Sequence, residues 1–220
     1  MNRFTLGVLA GLALAATGAC AAAGASPAPV ARPSFPCDTA QATVEKLICS
    51  DAALAALDRE LDAVYRAALA QAQGPLARPL RQAQRGWVKG RNECWKANGQ
   101  DTWITASWTV NTVRGCVEAQ TRLRRAELQA VWRLLPPRTV AYACQNDAAN
   151  EVVVNFFDTD PATMRLERGD RTTTLWRVGD AAAGRYEGPN IDGVTQGDEL
   201  VLNRLDTGTG QTERLRCRAQ

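Results

Sequence analysis

The stretch LQAVWRLLPPRTVAYACQNDAANEVVVNFF, residues 128–157, carries two different apolar periods on either side of a proline pair. Before Pro136-Pro137, apolar residues recur every three or four positions, as on one face of a helix. After it, Val152, Val154 and Phe156 alternate with their neighbours, as on a strand with one buried face. Neither proline ring can extend a helix, and each pushes the residue before it toward extended backbone. The chain therefore divides here into a helical half and a strand half.

Upstream, the helical period reaches back to Thr43. Val113, Val117, Leu123, Leu128 and Val131 predict a helix running from about Trp108 to Leu135. Leu54, Leu57, Leu61, Val64, Tyr65 and Leu69 predict an earlier one, with Ser50 or Asp51 as cap and Gly74-Pro75 as break. Leu76, Leu80, Ala83, Trp87 and Val88 carry a further stripe toward Cys94. Downstream, about eight short strands alternate with turn signals such as Asp160-Pro161, Arg168-Gly169-Asp170, Gly188-Pro189-Asn190 and Gln196-Gly197-Asp198. The expected fold is α+β as two domains. An all-α, disulfide-linked domain spans residues 37–135, and a small antiparallel barrel or sandwich spans 138–220.

Two segments precede the helical domain. Met1 to Arg3 is a short cationic start and Phe4 to Ala16 is apolar but too short to span a bilayer, so residues 1–19 read as a secretory signal. Thr17-Gly18-Ala19-Cys20 is similar to a bacterial lipobox, in which the Cys is diacylated. Ordinary cleavage after Ala21-Ala22-Ala23 is the rival reading, and in both cases the protein is exported. Residues 20–36 hold four Pro among Ala and Ser without periodicity and form an extended tether.

The 220 residues include seven Cys and no His. Without His, Ser-His-Asp and Cys-His nucleophile systems, His-containing zinc sites and imidazole acid/base chemistry are excluded. Setting Cys20 aside leaves Cys37, Cys49, Cys94, Cys116, Cys144 and Cys217, which read as three disulfides in an oxidising compartment with pairing left open. Cys144 and Cys217, near the first and last strands, are natural partners. No Cys-x-x-Cys supports a metal site, and no cofactor is called for. The 26 Lys and Arg exceed the 23 Asp and Glu by too little, and in too scattered a way, to indicate nucleic acid. Residues 37–135 hold 14 basic and 10 acidic side chains, residues 136–220 hold 10 and 13. Trp87, Trp95, Trp103 and Trp108 invite comparison with a sugar-binding row, but their helical and loop spacings read as core or helix contact.

Two family resemblances follow from particular residues. The start Pro33-Ser34-Phe35-x-Cys37, then Val44-Glu45-Lys46-Leu47-Ile48-Cys49, Leu57-Asp58-Arg59-Glu60-Leu61, Tyr65-Arg66 and Gln84-x-x-Trp87-x-x-x-Arg91-x-x-Cys94 resemble the LprI-type lysozyme inhibitors over about residues 33–130. Tyr142-x-Cys144, Ala183-Gly184-Arg185-Tyr186, Gly197-Asp198-Glu199 and Cys217 resemble the MliC-type inhibitors of chicken-type lysozyme, which implies a small eight-stranded barrel. In that family two loops enter the lysozyme cleft, where a Ser and a Lys meet the catalytic carboxylates. Counted from Tyr186, the family Ser falls on Ala182, the family Trp on Val194 and the family Lys on Gln196. The resemblance thus implies Ala182, Ala183, Gly184, Arg185, Tyr186, Gln196 and Gly197 as lysozyme-contact positions, with Arg185 the one retained cation. Tyr186 reads as a packed barrel residue rather than a contact.

The resemblances imply an exported, non-enzymatic lysozyme inhibitor in the periplasm, held to the outer membrane through lipid on Cys20. The competing class is an envelope binding module that kept the fold and lost lysozyme. A carboxylate glycosidase ranks last, because it needs two acids across a sugar. Asp198 and Glu199 are expected to point to opposite sides of a strand.

Overall fold

The computed structural model describes residues 32–180, 182 and 184–220. Cys20, the signal stretch, most of the tether and Ala183 lie outside these residues. The helical half contains α1 (Thr43–Ser50), α2 (Ala52–Gln71), α3 (Ala77–Asn92) and α4 (Val113–Val131). Asp51, not Ser50, caps α2: its Oδ1 accepts from the amides of Ala53 at 2.9 Å and Leu54 at 3.0 Å. A carboxylate suits that position, since the first amides of a helix lack partners and carry its positive end. α2 ends with Ala72 as its C-cap, and Gly74, with φ of +57°, turns the chain in left-handed backbone just beyond it.

Two small cores hold the helices. Val44, Ile48, Leu54 and Val117 surround the Cys94–Cys116 region, while Leu61, Ala68, Leu80 and Leu128 form a second cluster with Trp87 and Trp132 against it. Disulfides Cys37–Cys49 and Cys94–Cys116 brace the first. Split cores of this size bury little area, so covalent bracing matters more here than in a larger domain.

The helix expected from Trp108 begins only at Val113 and ends at Val131. Ahead of it lies a two-stranded ribbon, β1 (Thr102–Trp103) with β2 (Thr109–Val110). Thr102, Trp103, Ile104, Thr105, Trp108, Thr109 and Val110 are β-branched or aromatic, and such residues prefer extended backbone. Thr112 then caps α4, its Oγ1 accepting from the Gly115 amide at 3.0 Å. The tryptophans also depart from expectation. Trp87 and Trp108 are half-buried, but Trp95 is 53% and Trp103 69% exposed.

The strand half is a closed antiparallel barrel of β3 (Arg138–Cys144), β4 (Asp147–Phe157), β5 (Thr163–Arg168), β6 (Arg171–Arg177), β7 (Arg185–Gly188), β8 (Ile191–Gln196), β9 (Glu199–Leu205) and β10 (Thr212–Ala219). β10 closes onto β3, where Cys144 and Cys217 are register partners and form a disulfide. Inward residues include Tyr142, Val152, Val154, Met164, Leu175, Tyr186, Leu200 and Leu202. Gly193 faces the same interior, where a Cβ would stand 2.7 Å from Met164 Cε. Consecutive antiparallel strands alternate their connections between the barrel ends. Loops 158–162, 178–184 and 197–198 therefore share one end with the incoming chain at Arg138.

The two halves touch along α4 and at the ribbon tip. Arg122 and Arg125 both pair with Asp160, and Arg165 Nη1 donates to the carbonyl of Val131 at 3.0 Å.

Candidate functional site

The barrel brings residues 184–186 and 193–195 together, although they are about ten residues apart in sequence. Arg185 is the register partner of Val194 and Tyr186 of Gly193. The Thr195 amide donates to the Gly184 carbonyl at 2.9 Å. Gly184 has φ of +58°, and a Cβ there would stand 2.3 Å from the Thr195 carbonyl oxygen, so only glycine fits this crossing. Gly197, with φ of +60°, makes the turn after Gln196. Ala182, Gln196 and Gly197 are exposed, while Ala183 lies outside the described residues.

Tyr186 points the other way, into the barrel. Its hydroxyl accepts from Arg177 Nη2 at 2.7 Å and its ring meets Phe156 edge to face. Arg185 points outward with its side chain half exposed, and its Nη2 lies 2.8 Å from Glu187 Oε1. That oxygen has no aligned hydrogen bond, so the contact is a charge pair without directional bonding.

Glu187 is a buried charge at this site that the sequence reading missed. It shares the outer face of β7 with Arg185, yet it is only 1% exposed. The ribbon tip covers it: the Ser107 amide donates to its Oε2 at 2.9 Å. Burial raises the Glu187 carboxyl, but the hydroxyls of Ser107 and Thr105, the Ser107 amide and the Arg185 charge outweigh burial and hold it below the usual carboxylate value. An alternating Arg-x-Glu on a strand signals a shared face. Nothing in the sequence pairs it with a ribbon eighty residues upstream.

The helical half has a groove of about 390 Å³. Asp58, Tyr65, Gln84, Trp87 and Arg91, named above from sequence, all line it. Arg91 Nη1 donates to Asp58 Oδ1 at 3.1 Å, and both side chains are almost fully buried. Asp58 Oδ2 also accepts from the Ser34 amide at 2.9 Å and the Ser34 hydroxyl at 2.6 Å, fastening the end of the tether to α2. Burial lowers the Arg91 guanidinium from its usual value, opposed by the charges of Asp58 and Glu45. The Ala42 amide holds the Glu45 carboxyl low by hydrogen bonding, more than its burial raises it. The Asp58 and Glu45 carboxylates of the groove are thus already engaged.

Residues 37–128 match the family model of the lysozyme inhibitor LprI. The match spans most of the groove, both helical-half disulfides, the ribbon and most of α4, and it stops short of the barrel. No curated protein matches the chain, and no solved structure matches it. The segment that is similar to LprI is thus followed by a closed eight-stranded barrel that the family model does not reach. Asp198 and Glu199 do not point to opposite sides as expected. Asp198 sits in the turn before β9, and both carboxylates reach Arg218, at 3.9 Å and 3.0 Å.

Proposed function

We propose that this protein is an exported envelope inhibitor of chicken-type lysozyme, lipid-anchored to the outer membrane through Cys20 and facing the periplasm. The observation that carries the reading is the match of residues 37–128 to the lysozyme inhibitor LprI. The barrel rim supports it. A lysozyme cleft holds a pair of carboxyl groups. Arg185 presents a planar cation beside Val194, its cross-strand partner, and a guanidinium can grip a carboxylate in two-point fashion. Its role is stoichiometric blockade, with no reaction of its own.

A second reading, an envelope module that no longer meets lysozyme, is favoured by one observation. Arg185 is already paired with Glu187, while Ala182 and Gln196 lack the hydroxyl and ammonium of the resemblance. Titration of chicken-type lysozyme activity with the full chain decides between them: stoichiometric loss of activity supports inhibition, and none supports the module. Mass spectrometry of the mature N-terminus tests the anchor. An unmodified start beyond Cys20 overturns it.

A further inference from the structure

Trp103 stands on β1 with its ring exposed to solvent, yet its backbone is held at both ends of the ribbon. The Cys94–Cys116 bridge and the Gly99 amide, which donates to the Asn111 carbonyl at 3.0 Å, hold the base. Ile104 beside it packs on the first helical core, and its amide donates to the Trp108 carbonyl at 2.7 Å. The tip is held by Glu187 through the Ser107 amide. A scattered apolar side chain on a surface needs no explanation. A tryptophan this exposed on a ribbon braced at base and tip is a pre-organised anchor, of the kind that dominates interfaces because little motion is lost on binding.

Its position ties it to the barrel rim. Trp103 is four residues from Ser107, so their separation is at most about 14 Å of extended chain. One oxygen of Glu187 takes the Ser107 amide and the other lies against Arg185. Val194, an exposed apolar residue, is the cross-strand partner of Arg185. The ribbon that carries this aromatic ring therefore meets, at Glu187, the strand that carries the cation and its aliphatic neighbour. The cleft of a glycan-cleaving enzyme pairs carboxyl groups with apolar walls that hold sugar rings.

We infer that lysozyme is met by a face shared between both halves, with Trp103 of the ribbon filling a sugar subsite, Arg185 of the barrel facing the catalytic carboxyls, and Glu187 clasping the two in place. The inference rests on the lysozyme-inhibitor reading and adds to it the contribution of the helical half and the positioning role of Glu187.

The test uses the full chain and its Trp103→Ala, Trp103→Phe, Arg185→Ala, Glu187→Gln and Leu76→Ala variants, measuring the inhibition constant against chicken-type lysozyme and the melting temperature. Leu76 is an exposed apolar residue in the turn between α2 and α3 and serves as the control. Trp103→Ala should weaken inhibition at least about tenfold without lowering the melting temperature, the size expected of a buried aromatic anchor. Trp103→Phe should recover most of that loss. Arg185→Ala should weaken inhibition comparably, and combining it with Trp103→Ala should cost less than the product of the two. Glu187→Gln should weaken inhibition although it contacts no lysozyme group, and Leu76→Ala should not. Trp103→Ala that inhibits like the parent overturns the shared face and leaves the inhibitor reading standing. A parent chain that does not inhibit overturns both. Loss of sedimentation with insoluble peptidoglycan in Trp103→Ala, with inhibition intact, also overturns the shared face, because the ring then serves a glycan.

Discussion

The helical half commits the residues singled out in it to internal hydrogen bonds, whereas the barrel leaves most of its own on an exposed rim. Asp58 and Arg91 are both buried, and with Ser34, Asn92 and Glu45 they form a chain of hydrogen bonds that ties the tether end, α1, α2 and α3 together. In the barrel, Ala182, Arg185, Gln196 and Gly197 are exposed around a crossing that only Gly184 permits. Residues singled out from sequence in the same way therefore have opposite fates. A buried polar residue costs too much to leave unpaired, so it is committed to the fold. An exposed side chain on a rigid rim, even one paired as Arg185 is with Glu187, still presents about half of its surface to a partner.

The largest test of this contrast is Asp58→Ala. It leaves Arg91 buried without its counter-charge, and unfolding of the helical signal in denaturant should show a loss of roughly 3–5 kcal/mol. A loss under about 1 kcal/mol would break the contrast. Removing the barrel bridge with Cys144→Ser and Cys217→Ser should come next. Its closed loop spans 73 residues against 12 for Cys37–Cys49, so loop closure gives about 4 kcal/mol against about 3, with denatured-state structure lowering both. Calorimetry of the two double variants ranks them.

The rim is probed by gain rather than loss. Ala182→Ser together with Gln196→Lys should strengthen inhibition about ten- to a hundredfold, since a buried charge-assisted contact contributes roughly 1.5–3 kcal/mol. Folded parent and variant chains that inhibit equally would show that the rim does not enter the cleft. The smallest effect concerns acid. Glu187 is held below its ordinary value of 4.5, so its contribution is complete above that value and is lost as pH falls through the lower folded value. The Ser107 amide resonance should shift across that window. In Glu187→Gln it should stay flat, with stability reduced by about 1 kcal/mol at neutral pH.

Much of the fold was legible because it rests on local rules. The proline pair, a cap at Ser50 or Asp51 and the alternation in Val152, Val154 and Phe156 all act within a few residues, and the structure follows them, with Asp51 as the cap. The ribbon at Thr102–Val110 was misread because Trp108 and Val110 fit the helical stripe that truly starts at Val113. Period alone does not separate a short β segment from a helix start, and β-branched content was the better guide. Of the site, the sequence yielded positions on the rim. It did not yield the pairing of Arg185 with Glu187, nor the exposure of Trp95 and Trp103.

The sequence by itself determined where helix gives way to strand and which residues face the two kinds of core. It did so because burying apolar side chains imposes a period on neighbouring residues. Only the tertiary structure decided how Cys37, Cys49, Cys94 and Cys116 pair and that a ribbon from the helical half covers Glu187 on the barrel, whereas the Cys144–Cys217 bridge was already legible from its place at the two ends of the strand half. Those contacts join residues as much as eighty positions apart. Their energies depend on who is near in space, and no local pattern records that.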